Sequence, residues 1–284
     1  MMLRKSRYRI VNRIIESLND FQFKLIFAAR NFISNRPLVW TNDRSHLFQK
    51  TVERLPNHDL ALIFGNAPNL NCLSPGCIGR IQEFSALRIG INRSFLKIPT
   101  NFLLWTDSEL WAEMRPEQIQ SGTMIVRIVR KSGHPSYIRW WINNRSLKRW
   151  HEKGLFFLRN TLVSALDLCR RSGIRRIILF GVSLESSRHF YTSSWNQDAA
   201  LSYEHHGDAY INKVFSGYDI RRCVREVIES MLSDGYDIRY VGSSRFLDSI
   251  GLKGYSSVSA LESDPSISMY LSPGGQKRGG DTGK

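Results

Sequence analysis

Leu60-Ala-Leu-Ile-Phe-Gly-Asn-Ala-Pro-Asn-Leu70 decides the fold class of this chain. Five apolar residues run without alternation and then give way to a turn of small and amide residues. A strand that is apolar at every position is buried on both faces, which is the signature of a parallel sheet. Gly65 permits a tight or positive-φ backbone, and Pro68 prevents immediate helix propagation. Asn66 and Asn69 bring two amide side chains to the same turn. Such a strand–Gly loop is where α/β proteins hold the phosphates of a nucleotide, although a Gly-Asn turn also serves simply to end a strand.

The rest of the chain repeats the pattern. Short apolar runs over 87–91, 101–105 and 124–129 predict three further strands, and 155–158, 176–180 and 238–241 predict three more. The run at 87–91 leads into Asn92-Arg93, that at 101–105 into Thr106-Asp107, and that at 176–180 into Gly181-Val-Ser-Leu-Glu185. Leu162, Ala165, Leu166 and Cys169 fall at helical spacing after Asn160 or Thr161 as N-cap, with Gly173 as the stop. The strand at 155–158, this helix and the strand at 176–180 read as a βαβ crossover. Asp219 caps another helix, with Ile220, Val224, Val227, Ile228 and Met231 on one face and Gly235 at its end. Residues 71–86 read as loop with one short helix. These features predict an α/β, Rossmann-like domain over 59–255, with a mainly parallel sheet flanked by helices.

The flanks and insertions differ in character. Residues 1–58 read as a basic helical extension followed by a polar connector over 37–58. Within 1–36, Ile10, Val11, Ile14, Ile15 and Leu18 recur at helical spacing among arginines, so this helix either lies on an anionic membrane or packs on the domain. Residues 130–154 interleave Arg139, Trp140, Trp141, Arg145, Lys148, Arg149 and Trp150, a mixture that either stacks bases or packs on a sheet. Residues 186–217 form a long polar, aromatic stretch, and with 130–154 they are read as insertions or a lid. The Ser/Gly/Pro-rich end, 256–284, is expected to be a flexible tail.

The formal charge of +15 favours polyanions, through nucleic acid, an anionic membrane face or phosphorylated ligands. The 42% hydrophobic fraction supplies a sizeable core and excludes wholesale disorder. Cys72, Cys77, Cys169 and Cys223 form neither a C-x-x-C nor a zinc pattern, so a reducing cytoplasm is the simpler expectation. No run reaches the length of a membrane span. The expected location is cytoplasmic, with peripheral contact on the inner membrane face through residues 1–36.

Taken in order, these landmarks resemble the bacterial sialyltransferase family that extends lipooligosaccharide. More loosely they resemble its wider superfamily, with the flagellin-modifying transferases and the hydroxymethylpterin diphosphokinases. The family's Gly-Asn-Gly-Pro-Ser loop corresponds to Gly65-Asn66-Ala67-Pro68-Asn69. Its Asn with a nearby aromatic corresponds to Asn92 and Phe95, and its Arg-x-Thr to Arg159-Asn160-Thr161. Its Gly-x-Asp and two tyrosines correspond to Gly181-Val182-Ser183, Glu185 and Tyr191. Its catalytic His corresponds to His205 or His206. The likeness spans about 60–250, and the chain departs from it at Ala67, Ser183 and Glu185.

The resemblance implies a glycosyltransferase that moves a sugar from a nucleotide-activated donor to a surface glycan or lipid-linked acceptor. His206 or His205 would be the general base, since an imidazole titrates near neutrality. Arg159 and Tyr191 would stabilise the leaving phosphate. Gly65, Asn66, Asn69, Asn92, Arg93, Thr161, Gly181 and Ser183 would hold the nucleotide, and Asp107 and Glu185 would meet the sugar or acceptor. The partners are then a nucleotide sugar and an anionic glycan or lipid, and no cofactor is required. One alternative is a diphosphokinase-like enzyme with Mg²⁺ on Asp107 or Glu185. The other is a non-enzymatic protein that binds nucleic acid or membrane through 1–36 and 139–154.

Overall fold

The computed structural model describes residues 39–55, 58–106, 119–120, 122–128, 154–156, 160–185 and 220–271, together with Phe21 and Leu25. Eight strands form one sheet: β1 (Val39–Asn42), β2 (Leu60–Phe64), β3 (Leu87–Ile91), β4 (Phe102–Trp105), β5 (Met124–Arg127), β6 (Arg176–Phe180), β7 (Asp237–Val241) and β8 (Lys253–Tyr255). Their spatial order is β1-β5-β4-β3-β2-β6-β7-β8, and every pair is parallel. The helices are α1 (His46–Glu53), α2 (Pro75–Glu83), α3 (Thr161–Arg171), α4 (Ile220–Ser233), α5 (Arg245–Asp248), α6 (Val258–Glu262) and α7 (Pro265–Ser268). The protein is thus an α/β, Rossmann-like fold. None of the described helices is long and apolar enough to cross a membrane.

The all-apolar sequence of β2 follows from its central place. All five of its residues have no exposed surface, and its two faces feed separate cores. Ala61 and Ile63 join Leu162, Leu166, Val224, Val227 and Met231 from α3 and α4. Leu60, Leu62 and Phe64 join Ile81 and Phe84 beside α2, with Val258, Leu261 and Ile267 from α6 and α7. Burying each such side chain is worth about 1.5–3 kcal/mol, so removing one from β2 weakens a whole layer. Phe64 and Phe180 stand in register on β2 and β6, with ring centroids 5.1 Å apart. They form a stacked base beneath the loops that follow both strands.

Several elements lie where the sequence predicted none. Residues 37–58, read as a connector, supply the edge strand β1 and helix α1. Ser45 caps α1 by accepting from Phe48 N at 3.1 Å, and Phe48 is fully buried. The strand β8 and helices α6 and α7 were likewise unforeseen, and residues 256–271 are folded rather than a tail. Asp264 caps α7, and Ser85 N donates to Tyr270 O at 2.8 Å. Arg239 on β7 donates to Tyr255, Asp264 and Ser266, which pins β7, β8 and α7 together.

The strand expected at 155–158 does not form at the two residues described there. Leu155 N donates to Asp43 Oδ2 and Phe156 N to Asp167 Oδ2, each at 2.8 Å. Two buried carboxylates thus take the N–H groups that a ladder would use. Among the described residues α3 precedes β6, and the strand before it is β5.

Candidate functional site

A ligand-binding crevice in an open parallel sheet lies where the chain reverses its direction of growth. From β2 the chain builds β3, β4 and β5 on one side, then returns to place β6 on the other side of β2. The loops after β2 and β6 therefore begin side by side. Gly65 N donates to Phe180 O at 2.7 Å and Ala67 N to Gly181 O at 2.8 Å, which carries the ladder past the last strand residues.

The approach of these loops explains their glycines. A Cβ on Gly65 would stand 2.4 Å from Gly181 O and 2.9 Å from Val182 Cγ2. Gly65 is thus required by close backbone contact, and it is absent from the positive-φ residues. Gly181 has φ +61°, which a side chain would resist. Ala67 has φ −66° and ψ 154°, ordinary extended backbone that explains why alanine serves there. Pro68 opens a 3₁₀ turn, Pro68–Cys72, instead of blocking one, as its fixed φ suits a first helical position.

Three asparagines reach this edge with amide atoms that nothing satisfies. Asn66 Oδ1, both amide atoms of Asn69, and Asn92 Oδ1 are buried without a hydrogen-bond partner. A buried polar atom left unpaired costs about 1–3 kcal/mol, so Asn66 and Asn69 at the switch point, with Asn92 at the end of the neighbouring strand β3, are an arrangement that a polar ligand would relieve. Asn92 also has φ +50° at the start of the 3₁₀ turn Asn92–Leu96. Leu184, in the loop after β6, has φ +55°. Among the described residues these are the positive-φ positions without glycine, and both lie at the carboxyl edge, where strain marks functional loops.

The other expected site residues divide. Arg93 is buried, 3% exposed, beside Asn92. Thr161 is buried at the start of α3, and its Oγ1 lies 3.0 Å from Thr106 Oγ1 at the end of β4, two strands away from β2. Its N-cap is Asn160, whose Oδ1 accepts from Leu162 N. Ser183 O accepts from Ser244 Oγ at 3.0 Å, joining the loops after β6 and β7. Glu185 Oε1 accepts from Phe246 N at 3.3 Å and so is turned toward α5. Arg159, Tyr191, His205, His206 and Asp107 lie outside the described residues, as do 130–153 and 186–219.

Two groups were missed from sequence. Gly242 follows β7 with φ +106°, and a Cβ there would meet Asn69 Nδ2 at 2.8 Å. The end of β7 thus joins the crevice. Its signal was a third strand-then-Gly junction, Val241-Gly242, after Phe64-Gly65 and Phe180-Gly181. The second group is Arg221, Arg222, Arg225 and Arg245, which line a cleft with Glu185 and Phe246. Its signal was three arginines within five residues, Arg221-Arg222-Cys-Val-Arg225.

Titration shifts occur beside the site more than within it. Burial, and then the hydrogen bond to Asp248, push the Tyr240 hydroxyl up to about 12. Lys253, Ser266 and Tyr255 hold the Asp264 carboxyl far below its ordinary range. Burial pushes the Cys169 thiol up, so it is an inert core residue. Among the described residues no group of three or more His, Cys, Asp or Glu side chains could hold a metal ion.

An all-parallel Rossmann-like sheet with an amide-rich crevice at its switch point defines the class of this protein. No family model matches the chain, and no curated protein sequence matches it. Its fold is distantly similar to solved structures of the sialyltransferase CST-II, two variants of which are each in complex with CMP. One has a TM-score of 0.36 at 10% identity and covers 63% of this chain and 81% of its own. The other has a TM-score of 0.37 at 9% identity and covers 64% and 80%.

Proposed function

We propose that the protein is a glycosyltransferase, sialyltransferase-like, that takes a sugar from a nucleotide-activated donor. The observation that carries this reading is the set of unpartnered amides on Asn66 and Asn69 at the β2/β6 switch point and on Asn92 at the end of β3. A nucleotide monophosphate and its ribose offer both acceptors and donors, as these amides require. The amides bear partial rather than full charge, so they would hold a leaving phosphate without binding it too tightly to release.

In this reading the donor phosphate lies over Gly65 and Gly181, with Asn69 and Gly242 closing one side. Arg159 and Tyr191 neutralise the charge that develops on the leaving phosphate. His205 or His206 removes the proton from the acceptor hydroxyl as that oxygen attacks the anomeric carbon. The bond from the anomeric carbon to the phosphate oxygen breaks, and the nucleotide leaves with its phosphate. Glu185 Oε1 accepts from Phe246 N, which leaves its other carboxylate oxygen to meet the sugar or acceptor.

The test is turnover across a panel of nucleotide sugars with an anionic glycan acceptor, starting with CMP-activated donors. Release of nucleotide that depends on Asn69 and on the His205/His206 pair is the expected result. Undiminished turnover after both histidines are changed to Ala removes them as the base. Absence of turnover and of nucleotide binding across the whole panel overturns the proposal.

A further inference from the structure

A cleft of about 680 Å³ opens between α4, α5 and the loop after β6, lined by Glu185, Arg221, Arg222, Arg225, Arg245 and Phe246. Four guanidinium groups around one space repel each other, and each is a fixed fork suited to phosphate or carboxylate oxygens. Their placement raises that repulsion. Arg221, Arg222 and Arg225 stand within the first six described residues of α4. With Arg245 they concentrate positive potential around one space.

Internal ion pairs do not cancel it. Arg222 meets Glu226 at 3.0 Å and Arg225 meets Glu229 at 3.9 Å, both exposed helix-surface pairs, which are individually weak and easily exchanged. Arg225 also donates to Ser249 Oγ and lies over the Phe246 ring. Arg221 donates to the carbonyls of Leu184 and Glu185, at 2.8 and 3.5 Å, and so keeps its full charge. Arg245 meets no carboxylate among the described residues. Among the described residues the one acidic group lining the cleft, Glu185, accepts from Phe246 N.

The position connects the cleft to the proposed donor crevice. Gly181 and Glu185 belong to one loop, and Gly242 lies in another that leads into Arg245 at the start of α5, so both loops that border the crevice run on to the cleft. The space exceeds what one phosphate fills. We propose that this cleft is the acceptor subsite, and that it recognises a phosphate group carried on the acceptor saccharide. The acceptor assignment rests on the glycosyltransferase reading, whereas phosphate recognition rests on the arginines alone. Arg221 and Arg245 would grip the phosphate, and Arg222 and Arg225 would exchange their glutamates for it. The saccharide would extend toward Gly181, where the donor sugar waits.

The test is calorimetric titration of the full chain with glucose 1,6-bisphosphate, with and without saturating CMP. Glucose and phosphatidylglycerol vesicles serve as separate arms. The expected result is bisphosphate binding without glucose binding, undisturbed by CMP. Arg221→Gln and Arg245→Gln should each weaken the bisphosphate about tenfold and leave CMP unchanged. Arg245→Gln is the cleaner variant, since this side chain has no structural bond to lose. Competition between CMP and the bisphosphate makes the cleft part of the donor site and overturns the proposal. So does arginine-dependent binding to vesicles alone, which indicates a membrane surface, or bisphosphate binding that ignores both substitutions. If CMP fails to bind while the arginine-dependent bisphosphate binding persists, the phosphate site stands and only the donor reading falls.

Discussion

Gly65→Ala probes the approach of the two central loops directly. The new Cβ would lie 2.4 Å from Gly181 O, about 1 Å inside ordinary contact, and 2.9 Å from Val182 Cγ2. The first obstacle is backbone, so no rotamer change relieves it, and β2 must separate from β6. That movement stretches Gly65 N to Phe180 O and Ala67 N to Gly181 O, now 2.7 and 2.8 Å. Overpacking of this kind costs about 1–3 kcal/mol, and each weakened hydrogen bond adds about 0.5–1.5 kcal/mol. A loss of about 2–6 kcal/mol follows, which for a domain of this size lowers the melting temperature by about 4–24 °C. Differential scanning calorimetry reads that shift. Ala67→Gly is the control: its backbone is already extended, so only unfolded-state entropy changes, at about 0.4–1 kcal/mol. A Gly65→Ala protein that melts with the wild type, or above Ala67→Gly, refutes the close approach.

Asn69→Leu removes two unsatisfied buried amide atoms. It should leave the melting temperature of the unliganded protein unchanged or raised, while nucleotide affinity falls at least about tenfold; this opposition, read by calorimetry and titration, is foreign to a purely structural asparagine. Phe64→Ala should cost about 3–5 kcal/mol, because the ring is fully buried against Phe180 beneath the crevice. Asp264 has a folded-state pKa depressed below the ordinary 3.8 by Lys253, Ser266 and Tyr255. The unfolded chain therefore takes up the proton first as pH falls, so this group's contribution is present above about pH 4 and is lost below it. Asp264→Asn should reduce the acid dependence of urea-unfolding stability in that range.

The central strands were legible because each carries its own burial in its composition. Leu60–Phe64, Leu87–Ile91 and Arg176–Phe180 stand in the structure at the bounds read from sequence. The edges were not legible. Val39-Trp-Thr-Asn and Lys253-Gly-Tyr are short, partly polar and paired on one side only, so their strand character comes from the neighbour they meet. The reverse error occurred at Leu155-Phe156, where apolar side chains suggested a strand and the carboxylates of Asp43 and Asp167 took the backbone donors.

At the site, Asn66, Asn69 and Asn92 could be read from their places after apolar runs. The Asn69–Gly242 contact could not, because it depends on the loop after β2 reaching across to the end of β7. The arginine cleft was hidden for a different reason. In a chain of net charge +15, Arg221, Arg222, Arg225 and Arg245 are unremarkable until α4 and α5 bring them to one space.

The crevice itself is tested most directly by a crystal structure of the protein soaked with CMP. The account predicts density for the nucleotide at the β2/β6 switch point, with polar atoms within hydrogen-bond distance of Asn66, Asn69 and Asn92. CMP bound away from these residues, or a crevice in which the three amides stay unpaired at saturating CMP, contradicts it.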